Sequence, residues 1–484
     1  MAGIAFRLQK LLTGDSYSDI IKAYFYSGII SSGPFLVIIF TLTAMKIALQ
    51  VRLSIEDSNL LLSLIVYVFA FSMLGVSPFY YIVTRYLADK YYLKQIEAFT
   101  SSYLSVLSLV FFIQAITAIP YLNYLELTIQ TKWVLFCLYL FISGIWIAMI
   151  YLSAAKSYMW IVGAFFGGGI VGTALALTLG FKFGFNGFLN GFTIGQAVTF
   201  LILTLRILKE FGFTSSYNFD FFHYFKKYPY LVLVGITYYL GIWIDKLIYW
   251  NSSVGDEVIK GIRIFMNYDT PMFLAFITVI PSMAFFLVQM ETSFVKHYHR
   301  YYSTIRNRDS LLQIRAARES MITNLSEHFQ KYALFQGILS AVIIIFIYKI
   351  ADAFNLNPYQ MGIFRIGILG AFLQMGFLMI LNIIFYFDFQ KDAFKVCLIF
   401  LLTNGLLTLV TLFIGYQSFG FGYTVASFIT VFFSFLLLNH KLKNLDYWTF
   451  MAQPIIIPKF KFELENSPQK KSIKHLKNIS AILK

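Results

Sequence analysis

The sequence predicts an all-α polytopic membrane protein with about twelve transmembrane helices in two six-helix bundles. Three observations predict it. Apolar stretches long enough to cross a bilayer recur from Ile20 to Leu438, and a spanning helix needs about 20 mostly apolar residues. The 484 residues are 59% hydrophobic and only 13% charged, with a mean hydropathy of +0.72, which leaves too little polar surface to cover a water-soluble fold of this size. The stretches are continuously apolar rather than alternating, so they read as helices; an unpaired strand in lipid would leave its backbone groups unsatisfied.

The spans are expected at 20–48, 59–84, 100–120, 132–153, 158–180, 185–205, 229–250, 270–290, 331–351, 360–387, 394–415 and 420–439. With the N-terminus inside, about 29 of the 38 Lys and Arg residues fall on cytoplasmic segments and about 7 on outer ones. Reversing the orientation would invert this bias, so both chain ends are expected in the cytosol. The net charge of +15 then follows from topology, and no nucleic-acid partner is expected. The opening residues lack the cleavage pattern of a signal peptide. Cys137 and Cys397 fall inside spans and imply no disulfide framework.

Residues 1–208 are expected to form the first bundle and 229–440 the second. Between them, 209–228 is an aromatic-rich cytoplasmic elbow suited to the headgroup level. Within the second bundle, 291–330 reads as a cytoplasmic amphipathic segment. There Ser310 and Gln313 have capping-box spacing, and Leu311, Ile314, Met321, Leu325 and Phe329 mark one apolar face. Its Arg300, Arg306, Arg308, Arg315 and Arg318 suit either anionic lipid or a cytoplasmic protein partner. Residues 441–484 form a basic cytoplasmic tail. Helix kinks are expected at Pro34, Pro78 and Pro281, and the similar depth of Pro78 and Pro281 suggests an internal repeat.

Charges inside the bilayer are costly and point to sites. Spans one to six carry no buried Asp or Glu. In the second bundle Asp245, Lys246, Asp269 and Arg365 share one outer layer of the membrane. An Asp245–Arg365 pair is expected, with Lys246 facing Asp269 or a water-filled cavity. Such a cluster serves either as a transport gate or as structural ion pairs. Glu291 and Asp388 end their spans as ordinary snorkelling carboxylates. All six histidines fall on predicted cytoplasmic segments, which excludes a histidine relay inside the membrane. The glycines of 163–172 lie within a span, where small residues permit close helix packing. No nucleophile constellation, phosphate loop or metal spacing occurs, so the chain is not expected to be an enzyme or to hold a metal or cofactor. The 19% aromatic content suits sugar stacking but equally suits membrane interfaces, and the cargo stays open on this ground.

MAGIAFRLQKLL at the start, AYFYSGIISSGP at 23–34, TRYLAD at 84–89, GIWIDKLIYW at 241–250, YDTPMFLAF at 268–276, ETSF at 291–294, FRIGILGA at 364–371, YFDF at 386–389 and Gln453–Pro454 run in order along nearly the whole chain. Together they resemble the PelG family. Ala5, where members often carry Gly, and Phe35, where Trp is common, are conservative departures. The resemblance implies a MATE-like, flippase-like fold of the multidrug/oligosaccharidyl-lipid/polysaccharide exporter superfamily, with two bundles around a cavity that opens to alternate sides. It implies transport of the growing Pel exopolysaccharide, rich in N-acetylhexosamine, across the bacterial cytoplasmic membrane for biofilm matrix. The implied partners are a cytosolic glycosyltransferase and membrane subunits that include a cyclic di-GMP sensor. Asp245, Lys246, Asp269 and Arg365 all fall in these segments.

Three other readings compete. A flippase for lipid-linked oligosaccharide needs several buried cations for a pyrophosphate, and only Lys246 and Arg365 are available. A cation-coupled drug antiporter needs buried carboxylates, which the first six spans lack. A non-transporting scaffold of the synthase complex would tolerate changes along the path.

Overall fold

Long apolar stretches satisfy their backbone groups in lipid only by closing helical hydrogen bonds, and the computed structural model follows that rule. It describes residues 17–213 and 216–451. Among these, eleven helical stretches are long and apolar enough to cross a membrane. One of them, Tyr158–Phe211, has 54 residues and breaks helical geometry at Gly184 (φ 61°). There the chain reverses, so the stretch supplies spans five and six and the crossings number twelve. The opening MAGIAFRLQKLL, Gln453–Pro454 and most of the basic tail lie outside the described residues, as do the side chains of Lys22, Lys46 and Glu291.

Spans one to four are Tyr17–Arg52, Ile55–Tyr92, Ala98–Tyr124 and Ile129–Ala154. Ser54 and Thr128 start spans two and four by accepting from the backbone N–H of Asp57 and Thr131, which satisfies donors a helix start leaves open. The reversal at Gly184 brings spans five and six together over their small residues. A Cβ on Gly195 would lie 2.4 Å from the Gly172 Cα, so the backbones touch and the close packing expected of 163–172 is realised. Spans one and four pack on this glycine hairpin, and span four also packs on spans two and three.

The second half contains spans seven (Pro229–Trp250), ten (Pro358–Tyr386), eleven (Gln390–Ile414) and twelve (Phe421–Lys443). Span eight is broken into Met266–Ile277 and Ile280–Gln289. Pro281 lies in the first turn after the break, where its missing N–H costs nothing. Pro34 and Pro78 lie inside continuous helices instead. The Leu74 carbonyl that Pro78 cannot reach takes the Ser77 hydroxyl at 2.8 Å. The halves meet along two seams, span one on the second segment of span eight and span two on span seven.

Two regions differ from the sequence reading. Residues 291–330 do not form a separate surface helix. Span eight continues through a π-turn, Met290–Phe294, into the helix Val295–Arg306, and Leu311–Ile345 is one 35-residue helix that includes most of span nine. The Ser310–Gln313 capping box is present. At 1.5 Å per residue this helix is about 52 Å long, against about 30 Å of hydrocarbon. Ile314, Met321 and Leu325 are buried where the two helices pack on each other, while Leu311 is exposed. The apolar stripe therefore seals a helix pair rather than resting on lipid. The other difference lies between spans seven and eight, where β1 (Asp256–Ile259) and β2 (Ile262–Ile264) form an antiparallel hairpin turning at Gly261 (φ 88°). The hairpin marks one end of the molecule, and the arginine-bearing helix pair marks the other, basic end.

Candidate functional site

Span seven brings Asp245 and Lys246 to the hairpin end, and the chain returns at once through Tyr268 and Asp269. Asp245 is fully buried. Its Oδ2 accepts from the Tyr268 hydroxyl at 2.6 Å and lies 3.2 Å from the Lys246 ammonium. That ammonium also sits 5.3 Å from the Phe276 ring centre and 5.8 Å from that of Trp243, and aromatic faces favour a cation there. Asp269 Oδ2 accepts from the Trp250 indole at 2.7 Å and from the Phe265 backbone N–H at 3.2 Å. Span eleven is pinned to the same layer, since Asn404 donates to the Gly241 carbonyl at 2.9 Å and Tyr249 shares a 2.7 Å hydrogen bond with Thr411.

The expected Asp245–Arg365 pair is not formed. Arg365 is exposed, and among the described residues it makes no ion pair. Lys246 does not bond to Asp269 either. A four-carbon stem lets the lysine fold back to its own neighbour, which requires no register between helices, whereas adjacency on a helix had suggested different partners. Asp245, Lys246 and Asp269 are thus brought together with Tyr268 and Trp250, and Arg365 stands apart.

A second polar cluster lies at the basic end, and it includes Asp388, which from its place at a span end reads as an ordinary snorkelling carboxylate. Arg85 of span two lies 3.1 Å from Asp388, in the turn between spans ten and eleven, and 3.3 Å from Asp89 one helical turn on. Its guanidinium stands 5.1 Å from the ring centre of Tyr228. The elbow joins in through its short helix Phe221–Lys227. Tyr224 donates to Asp89 at 3.1 Å, and Lys90 lies 3.6 Å from Asp220. Burial, then the Asp89 carboxylate, pushes the Tyr224 hydroxyl up to about 12, so it stays a neutral donor. The available signal was that TRYLAD and YFDF both end spans at this face.

Between spans one and eight a crevice of about 540 Å³ is lined by Tyr24, Phe25, Gly28, Pro281, Phe285 and Phe335 among others, with no ionisable side chain but the tyrosine. Tyr24 stacks on Phe285, and Phe285 on Phe335. Arg300, Arg306, Arg308 and Arg315 are exposed along the basic-end helix pair, and Arg318 is half-buried.

This architecture, two helical lobes touching along paired seams with polar clusters at both ends, is that of a multi-pass membrane transporter. Solved structures share the fold. An outward-facing multidrug resistance MATE family transporter of the MOP superfamily aligns over 92% of this chain and 99% of its own, with TM-score 0.65 and 14% identity. An inward-facing one aligns over 87% and 99%, with TM-score 0.59 and 12% identity. A MOP superfamily transporter from Pyrococcus furiosus, titled for the reverse polarity of its binding pocket, aligns over 92% and 99%, with TM-score 0.62 and 13% identity. Among curated proteins none matches significantly. The family model of PelG, described as "Putative exopolysaccharide Exporter (EPS-E)", matches residues 1–450. The chain belongs to the PelG family.

Proposed function

We propose that this chain moves Pel-type, N-acetylhexosamine-rich exopolysaccharide across the bacterial cytoplasmic membrane, with both chain ends and the arginine-bearing helix pair in the cytosol. Family membership supports an exopolysaccharide cargo. The observation that carries the mechanism is the pair of seams, span one on span eight and span two on span seven. Halves joined this way can rock against each other and expose a path between them to alternate sides. In this reading 1–208 and 229–440 are the moving bodies and 209–228 links them. Asp245, Lys246, Asp269 and Tyr268 brace spans seven and eight, because each carboxylate is tied to a neighbouring element rather than facing the seam. Arg300, Arg306, Arg308 and Arg315 meet the cytosolic glycosyltransferase and the membrane subunits of the synthase.

A staple tests it. A Cβ on Gly28 would lie 3.6 Å from that of Ala284 across the seam, within disulfide range. In a background with Cys137→Ala and Cys397→Ala, Gly28→Cys with Ala284→Cys should stop extracellular polymer when oxidised and release it when reduced. Undiminished export by the oxidised protein would leave the chain a scaffold.

A further inference from the structure

At each end of the molecule a set of contacts beside the seam between spans two and seven joins the two halves. At the hairpin end hydrogen bonds and rings join the halves, with one well-exposed ion pair, Lys260–Glu126 at 3.3 Å, at the rim. Tyr67 of span two donates to the Arg263 carbonyl at 2.6 Å and accepts from the Arg263 N–H at 2.9 Å. Tyr121 of span three donates to the Gly261 carbonyl at 2.6 Å, and Tyr67 stacks on Trp250 at 4.9 Å. At the basic end the ion pair Arg85–Asp388 joins them.

We propose that Arg85 and Asp388 are the gate residues of the basic end, a salt bridge that closes the path between the halves and opens once in each transport cycle. The inference rests on the transport reading above and deepens it. Four features of the pair support this assignment. Arg85 is held within its own half by Asp89, and its guanidinium also lies over Tyr228 of the elbow, so separation of the halves removes Asp388 and leaves Asp89 holding the guanidinium. Asp388 sits at φ 56°, a left-handed conformation that Asp tolerates better than most residues. Gln390 fixes its Oδ1 at 2.8 Å, so the turn presents the carboxylate as a rigid catch. The Arg85 and Asp388 side chains are 32% and 50% exposed, and an ion pair with that much water around it is weak enough to break repeatedly. Behind it, Tyr81 of span two stacks on Phe385 of span ten at 4.8 Å and Tyr80 meets Tyr239 of span seven at 5.6 Å. These rings fill the seam inward of the pair. Ser77, Tyr81 and Arg85 follow at four-residue steps on one face of span two, and the Ser77 carbonyl would lie 2.1 Å from a Cβ on Gly235. The stripe therefore runs along the closed seam.

The test reads opening directly, without polymer or partners. In membrane vesicles exposing the basic face, the full chain lacking its native cysteines carries Ser77→Cys as reporter and is treated with a membrane-impermeant maleimide. Arg85→Gln and Asp388→Asn are each expected to raise the labelling rate about two- to fivefold. The double variant should rise no further than the larger single one, because both act through one contact. Should Arg85→Gln reduce abundance in the membrane, Asp388→Asn, which keeps the turn, is read with Arg85→Lys, expected near the parent rate. Unchanged labelling in Asp388→Asn, or additive effects in the double variant, would overturn the gate. A chain that passes this test yet exports no polymer when reassembled with its partners would instead overturn the cargo reading.

Discussion

Gln114 and Gln336 hold corresponding posts in the two halves. Gln114 of span three donates to the Ser72 carbonyl of span two at 3.4 Å and accepts from the Ser143 hydroxyl. Gln336 of span nine donates to the Thr278 carbonyl of span eight at 3.4 Å and accepts from the Ser282 hydroxyl. Both are fully buried. Each half thus fixes its proline-bearing span with one amide, six spans apart, which gives the repeat hinted at by Pro78 and Pro281 a physical basis.

The two amides are not equivalent in cost. Thr278 lies at the break in span eight, where a helix has surrendered its own bonds. Gln336→Leu is expected to destabilise the protein by about 1–3 kcal/mol, and Gln114→Leu by less, since the Ser72 carbonyl lies within a continuous helix. Thermal unfolding in detergent ranks them, and an equal loss would show that the break carries no special demand.

Lys246→Met leaves the wholly buried Asp245 without its counter-charge and is expected to cost about 3–5 kcal/mol. Pairing it with Asp245→Asn should recover most of that loss, because a neutral amide no longer needs the ammonium. Arg365→Gln should stay within about 0.5 kcal/mol of the parent. Membrane abundance and melting temperature of the four proteins decide the matter, and a loss in Arg365→Gln as large as that in Lys246→Met would contradict the observed partnership.

Gly195→Val drives methyl groups into the Gly172 backbone and is expected to prevent spans five and six from closing, seen as loss of folded protein in the membrane. Gly184→Ala is milder. At φ 61° and ψ −137° a non-glycine residue is strained by about 1–3 kcal/mol, so the melting temperature should fall while export persists.

Arg306→Glu with Arg308→Glu changes exposed groups at the far tip of the helix pair. Folding should be unaffected, while co-purification of the synthase subunits should fall and lose its sensitivity to salt. Retained binding would assign these arginines to solvent.

The twelve crossings were legible because lipid imposes a length and an apolar content that sequence displays directly. The Gly163–Gly172 packing and the Ser310 cap were legible for a similar reason, each being a local rule with a residue signature. Partner choice was not. Whether Asp245 meets Lys246 or Arg365 depends on how a flexible stem folds and how span ten is rotated, and neither has a pattern in the chain. Asp388 looked like any carboxylate at a span end until Arg85 stood opposite it. The β1–β2 hairpin has seven strand residues around Gly261, too short to show alternation. The helix pair of 295–345 was cut at the expected membrane edge, although nothing obliges a helix to end where the lipid does.

A continuous rod of about 52 Å, seated in the second lobe, cannot rock at its base without sweeping its free tip through several ångströms. Any synthase resting on Arg306 and Arg308 would be pushed and released with every stroke, so chain elongation and chain passage could keep time through a lever, with no messenger between them.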